Sequence, residues 1–457
     1  MTKLDTVISA LKLGLSGNLI MPGDAGYEAA RTVTYGGIDK HPGVIVQVAN
    51  AADVQLAVNA ARDNGIEFAV RSGGHSNAGH STIEGGLVID LRAMKSIKVD
   101  AATKTATVAT GATAGEACEA ALEHGLVLGF GDAATVGVGG ITLGGGVGYL
   151  VRKWGLTIDS LLSAEIVLAD GSLKAASATE NPDLFWALRG GGGNFGIVTS
   201  LEYRLHDLPE FTGGMICLPA TAETIAGFVA AAEAAPDELS TIANVMPAPP
   251  MPFLSPELHG KLVILGMLAF AGDAASAEKA IAPFRALATP YADFIMPGSY
   301  MQMYPPEDPD YHPTAVARTM FMNRIGESEA AMLLDTLEKS DAMFRVTQLR
   351  VLGGAAARIA PNATAYAHRN SRIMVNVAAF YTTPDDKTKQ TAWVEHFAAA
   401  LKQSDDGAYV NFLGLESEAR IRAAYPGATW DRLREAKAKY DPANLFRLNQ
   451  NIVPAGA

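Results

Sequence analysis

Along the first half of the chain, short apolar runs alternate with segments of helical period. "HPGVIVQVAN" predicts a short strand entered through a Pro-Gly turn. "AADVQLAVNAARDNG" has apolar residues spaced near 3.6 and predicts a helix that stops at Asn64-Gly65. "IEFAVRSGGHS" predicts a strand that runs into a glycine turn. "GLVIDLRAMKSIKVD" and "TKTATVATGATA" alternate polar and apolar positions and predict further strands, followed by a helix over "AGEACEAALEHGL". "SAEIVLADGSLKAAS" predicts a hairpin on an Asp-Gly turn. "NPDLFWALRGGGGNFGIVTSLEYRL" predicts a short helix, a glycine loop and a strand.

After about residue 208 the texture changes. Ala-rich helical segments ("AETIAGFVAAAEAA", "AASAEKAIAPFRALA") alternate with strands such as "KLVILGMLAFAG" and "FRVTQLRVLGG". This pattern predicts a separate α+β unit, a sheet with helices on one face. A charged helix, an Asp-Pro turn and an extended tail close the chain. The 457 residues divide on this reading into 1–208, 209–415 and a C-terminal return over 416–457.

Composition narrows the class. Hydrophobic residues make up 49% and charged residues 18%, which suits a globular protein with a large core. The formal charge of -12 argues against nucleic acid and anionic membrane surfaces as partners. It leaves room for one anionic cofactor, because backbone N–H groups hold phosphate without net positive charge. The first 21 residues predict an amphipathic helix and not a signal peptide, and no run of 18 apolar residues occurs. The expected setting is cytoplasmic. Cys118 and Cys217 form no C-x-x-C pair, so neither a disulfide framework nor a thiolate zinc site is expected.

Three glycine-rich stretches carry the candidate chemistry. Residues 131–148 contain eight glycines interleaved with Val136, Val138, Ile141 and Leu143. Flexible linkers carry polar residues instead, so these glycines point to close backbone approach. Gly191 to Gly196 matches G-x-G-x-x-G, but it follows a helix and opens a strand, the reverse of a dinucleotide-binding Rossmann loop. The third stretch is "RSGGHSNAGHS", with His75 and His80 five residues apart. Helical zinc pairs favour H-x3-H, and one extra residue turns the second ring by about 100°. No metal is expected. A catalytic base or a core histidine remains open, as does a third role in which Gly73-Gly74 lets the backbone press an imidazole against a flat ligand.

"RSGGHSNAGHS", "TVGVGGITLGGGVGYLVRKWGLTIDSL", "NPDLFWALRGGGGNFGIVT" and "YDPANLFRLNQNI" together resemble the FAD-linked oxidases of the vanillyl-alcohol oxidase superfamily. The nearest resemblance is to the berberine-bridge-enzyme-like family. It covers nearly the whole chain and is weakest between about 210 and 400. The resemblance implies a two-part FAD-binding domain plus an α+β substrate domain whose sheet is covered by helices.

It also implies roles for residues. His75 matches the histidine bonded to the flavin 8α carbon. Arg71, Ser72, Gly73, Gly74, Ser76, Asn77, His80 and Ser81 match the surrounding cofactor turn. Val136, Gly137, Gly139, Gly140, Thr142, Gly144, Gly145, Gly146 and Gly148 match a second cofactor loop. Gly196, Ile197 and Val198 match the adenine side, and Asn449 and Asn451 match tail residues near the flavin.

Departures from the family pattern refine this reading. Many members carry a second covalent bond from a cysteine in G-x-C-x-x-V-G-V-G-G. Here that position is Ala133, so the resemblance implies a single link through His75. Val136 matches the position thought to gate oxygen, and a small valine there suggests an oxidase. The substrate-facing strand carries Gln348 and Arg350 on one face by its period of 2. The family's lysine and glutamate are absent from these places, so amine oxidation of the nicotine type is in doubt. An arginine suits an anionic substrate group or a developing oxyanion.

The family's Y-x-N-Y stretch reads Tyr409-Val410-Asn411-Phe412. Tyr409 is therefore the candidate proton acceptor, given a cation such as Arg350 or Arg369 beside it. Tyr149 is a second candidate.

The expected protein is an FAD-dependent oxidase. It would take a small alcohol, phenol or similar molecule by hydride transfer to flavin N5, with molecular oxygen as acceptor. The alternatives are a dehydrogenase using another acceptor and a non-catalytic flavin-binding protein.

Overall fold

The computed structural model describes residues 2–456. Thr2 and Asp5 form a capping box that starts the helix Lys3–Gly14, whose Val7 and Leu11 face inward. The first sheet runs Asn18–Ile20, Val44–Gln47, Leu87–Asp90, Phe68–Arg71 in spatial order, with parallel pairs at its centre. Parallel neighbours need a crossover. The helix Ala51–Asn64 supplies it, capped by Asn50 on the Asp53 N–H and ended by Gly65 at φ 62°. Strand Phe68–Arg71 then delivers the chain straight into the "SGGHS" turn.

The second sheet is antiparallel, in the order Ile97–Asp100, Thr105–Ala109, Ile197–Arg204, Leu161–Val167, Leu173–Ser177. The Asp170-Gly171 hairpin and the helix Pro182–Leu188 form as the sequence predicts. The 131–148 stretch is not one loop. It contains a short helix, Val138–Leu143, between two glycine turns.

The third large sheet begins at Thr212. Its order is Ala292–Asp293, Thr212–Pro219, Leu262–Phe270, Leu239–Pro247, Arg345–Val351, Ile373–Phe380, Ala315–Met322, all antiparallel. Alternation along its strands separates two faces. Val375 and Val377 pack under helices Ala222–Ala234, Ala274–Arg285, Glu327–Glu338 and Pro384–Leu401. Met374 and Phe321 point the other way, onto Val147, Tyr366 and Tyr409 beside the glycine stretch.

The last helix, Ala428–Tyr440, and its tail return to the first half. There Lys437 donates to the Asn194 and Phe446 carbonyls and to Asp441. Among the described residues no helix is long and apolar enough to cross a membrane.

Candidate active site

Two sequence motifs about sixty residues apart cross at the centre of the first half. A Cβ at Gly73 would lie 2.2 Å from the Gly137 nitrogen, and one at Gly137 would lie 2.2 Å from the Gly73 nitrogen and from Ser72 Oγ. Neither position has room for a side chain, so the two backbones touch. Gly74 follows at φ 83°, a conformation glycine adopts without strain. That turn swings His75 into a long cleft with about 1780 Å³ of empty space, its mouth included.

Ser72, Gly73, Gly74, His75, Ser76, Asn77, His80 and Ser81 line this cleft, with Val136, Gly137, Gly139 and Gly140 beside them. Gly196, Ile197, Val198, Tyr409 and Asn449 line it as well. His80 Nε2, Ser81 Oγ and Asn449 Oδ1 are buried there without a hydrogen-bond partner. An unsatisfied buried polar group costs about 1–3 kcal/mol, so these atoms call for a ligand with polar groups along its length. At Gly140 and Gly193 an added Cβ would meet nothing, so the glycine walls leave free width. A long flat dinucleotide such as FAD fits this donor set and shape. Burial, helped by Lys40, holds the His80 ring down to about 4, so it meets such a ligand uncharged.

Other sequence candidates do not line the cleft, and each has a structural reason. Arg71 lies fully buried behind the turn and donates to the carbonyls of Ala30, Arg31 and Ser81, holding the turn from outside. Thr142 bonds to the Tyr203 hydroxyl at 2.7 Å in the core. Gly144, Gly145, Gly146 and Gly148 face Asn411, Tyr366 with Tyr409, Thr157 and the Phe130 carbonyl. They serve protein packing. Asn451 lies outside the lining, although its Oδ1 is also buried and unpartnered. Tyr149 is buried edge-on to Tyr304, and burial raises its phenol.

The polar pair on the substrate-facing strand changes most. Arg350 is a strut. It donates to Gln348 Oε1, to the Val147 carbonyl at 3.1 Å and to Asp132 at 2.5 Å, and its side chain is 4% exposed. Gln348 is itself bonded to Asn244. Neither side chain lines the cleft, and the arginine's charge is already answered by Asp132. The reading of Arg350 as a free anion-binding group is therefore corrected. Asp132 does line the cleft, with 31% of its side chain exposed.

Tyr409 accepts hydrogen bonds from the Gly146 N–H and from Asn411 Nδ2, both at 3.0 Å. Burial still raises its phenol, with those bonds and Arg350 only opposing the shift. Arg369 does not help, because Asp159 neutralises it in a buried pair. Tyr409 is thus a neutral phenol in the cleft wall and not a phenolate.

His75 Nε2 is 2.9 Å from Thr135 Oγ1, and Thr135 donates to Glu307 at 2.6 Å. Burial lowers the basicity of the His75 ring, against the opposing pull of Glu307, the Thr135 backbone and Asp132. A neutral ring keeps a nucleophilic lone pair. The two thiols are elsewhere. Cys118 and Cys217 are both buried outside the cleft, and burial pushes both thiols up, Cys217 to about 11.

Sequence reasoning passed over Tyr35, Asp132, Asn194, Asn411, Tyr425 and Gln450, which also line the cleft. Asp132, Asn194, Asn411 and Gln450 lay inside motifs already described. Tyr35 and Tyr425 had no local signal.

The chain is similar in sequence and fold to known proteins. A family profile described as "FAD binding domain" matches residues 42–177, and one described as "Berberine and berberine like" matches residues 408–453. The chain is 31% identical to (R)-6-hydroxynicotine oxidase of Paenarthrobacter nicotinovorans, over 98% of this chain and 99% of that one. It is 32% identical to xylooligosaccharide oxidase of Thermothelomyces thermophilus, over 91% and 88% of the two chains. The crystal structure of 6-hydroxy-D-nicotine oxidase from Arthrobacter nicotinovorans superposes with a TM-score of 0.86 at 28% identity, covering 96% of this chain and 98% of that one. A cleft cradled by glycine turns, with unpaired polar atoms along it, and full-length similarity to flavin oxidases lead to one conclusion: this chain belongs to the berberine-bridge-enzyme-like family of FAD-linked oxidoreductases.

Proposed function

We propose that this protein is an oxidase with FAD attached through His75 alone, acting on a small alcohol, phenol or related molecule. The observation that carries this reading is the company His75 keeps. Ala133 and Val136 line the same cleft, and no thiol does. The turn from Ser72 to Ser81, with Gly137, Gly139 and Gly140, would hold FAD, and the chemistry FAD would supply there is two-electron oxidation of the substrate with molecular oxygen as final acceptor. Val136 leaves that wall narrow in bulk, which favours oxygen access.

The protein's own part is orientation and proton removal. Asp132 is the carboxylate in the cleft wall. Arg350 holds one of its oxygens and fixes its direction. We assign it the substrate's proton, with the Tyr409 hydroxyl as a hydrogen-bonding partner to the same oxygen of the substrate. The sugar and hydroxynicotine oxidases named above are consistent with a hydroxyl-bearing substrate, but the lysine–glutamate pair of the nicotine type is absent here.

The experiment is a screen of alcohols, phenols and sugars that follows peroxide, together with acid precipitation. Yellow colour that stays with wild-type protein and leaves with His75→Ala supports the tether. Anaerobic bleaching by a substrate, without peroxide when air returns, would sink the oxidase assignment and favour a dehydrogenase.

A further inference from the structure

Glu307 belongs to the segment between the helical turn Tyr300–Met303 and the strand Ala315–Met322. That segment leaves the third sheet and lies against the first half. Tyr304 donates to the Gly131 carbonyl at 3.3 Å, and the Gly36 N–H donates to the Pro313 carbonyl at 3.1 Å. At its middle, Glu307 meets Thr135, and Thr135 meets His75.

The direction of this chain of bonds follows from its ends. A carboxylate only accepts, so the Thr135 hydroxyl proton points to Glu307. The Thr135 oxygen must then accept from the ring, which places the imidazole proton on Nε2. In a neutral imidazole the other nitrogen, Nδ1, then carries the lone pair. One hydrogen-bonded chain therefore turns the ring and selects its tautomer.

We propose that Thr135 and Glu307 form a proton relay that positions His75 for attachment to the cofactor and takes away its proton as the bond forms. This rests on the reading of His75 as the attachment point. Overall, one methyl C–H and the imidazole N–H are exchanged for one C–N bond. The two hydrogens, with two electrons, pass to molecular oxygen, which leaves as hydrogen peroxide. The relay accepts the proton from Nε2, through the Thr135 hydroxyl to the Glu307 carboxylate. Thr135 and Glu307 are positioning residues, and neither touches the substrate. Because Glu307 comes from the second half of the chain, attachment follows docking of the two halves.

The test compares wild type with Thr135→Val, Thr135→Ser, Glu307→Gln and His75→Ala. Samples are taken at intervals after induction. Total flavin per chain is read by absorbance and acid-stable flavin by in-gel fluorescence. Thr135→Val should attach flavin roughly a hundredfold more slowly than wild type, at the lower end of the range for a lost proton-transfer partner. Thr135→Ser should restore the rate. Glu307→Gln still accepts the hydroxyl bond but cannot take the proton, so it should remain slow. Total flavin should stay near that of wild type in all three. Thr135→Val attaching at the wild-type rate, or losing acid-stable flavin only in proportion to total flavin, would overturn the relay. Wild-type protein that releases all its flavin into acid would instead overturn the His75 reading itself.

Discussion

Lys437 and Asp441 form an ion pair with both side chains fully buried, one helical turn apart. The ammonium donates to Asp441 at 2.6 Å, to the Asn194 carbonyl at 2.7 Å and to the Phe446 carbonyl at 2.9 Å. Asn194 and Phe446 both line the cleft, so this one cation ties the last helix to two parts of the cofactor wall. Lys437→Met keeps the volume and removes the charge. It leaves a buried carboxylate without its partner, which typically costs about 3–5 kcal/mol.

The lower end applies here, because the Leu445 and Phe446 N–H groups still hold Asp441. About 3 kcal/mol lowers Tm by roughly 3 °C for a 457-residue chain that melts as one unit. Calorimetry reads the Tm, and flavin fluorescence on heating reads when the cleft opens. Lys437→Met with Asp441→Asn removes both charges and should regain most of the loss. A double variant no more stable than Lys437→Met would refute the argument that the stranded charge is the cause.

Gly137→Ala places a methyl group 2.2 Å from the Gly73 backbone and should separate the two cofactor turns. The expected result is a large loss of flavin per chain, read from the ratio of absorbance near 450 and 280 nm. Asp132→Asn should reduce kcat by about a hundredfold or more while total flavin is retained, whereas Tyr409→Phe should have a smaller effect. Equal effects would argue against Asp132 as the proton acceptor.

His206 gives a pH signature remote from the cofactor. It stacks on Trp154 with ring centres 5.0 Å apart and bonds to Ser160. Burial, with Arg204 and Lys153, holds it down to about 4. The unfolded chain binds a proton from about pH 6.5 downward and the folded chain does not, so this contribution is complete above that pH. It is lost as pH falls toward 4, by up to roughly 3 kcal/mol. Denaturant melts between pH 7 and 4 should show a shallower slope in His206→Gln.

Much of this protein is local and was legible from the chain. Apolar period and stop residues mark the helix Ala51–Asn64 and its Gly65 end, because a helix cap needs only neighbours in sequence. The strands read in "KLVILGMLAFAG" and "FRVTQLRVLGG" form for the same local reason, as Leu262–Phe270 and Arg345–Val351. The glycines at 73 and 137 announce close backbone approach, since no other residue offers it. What each approaches is a different matter. Gly137 meets Gly73 at the cleft, while Gly144, Gly145, Gly146 and Gly148 pack against protein away from it, and nothing in their spacing distinguishes the two groups.

The charges show the limit most clearly. Arg350 reads from its strand as a group facing a substrate, yet its partner Asp132 lies 218 residues away in sequence and claims its charge. Thr135 and Glu307, both exposed and 172 residues apart, have no visible connection until the fold sets them in line with His75. Local periodicity decides which elements form. Which side chains meet, and so which charges are free to act, depends on long-range packing, and only the tertiary structure decides that.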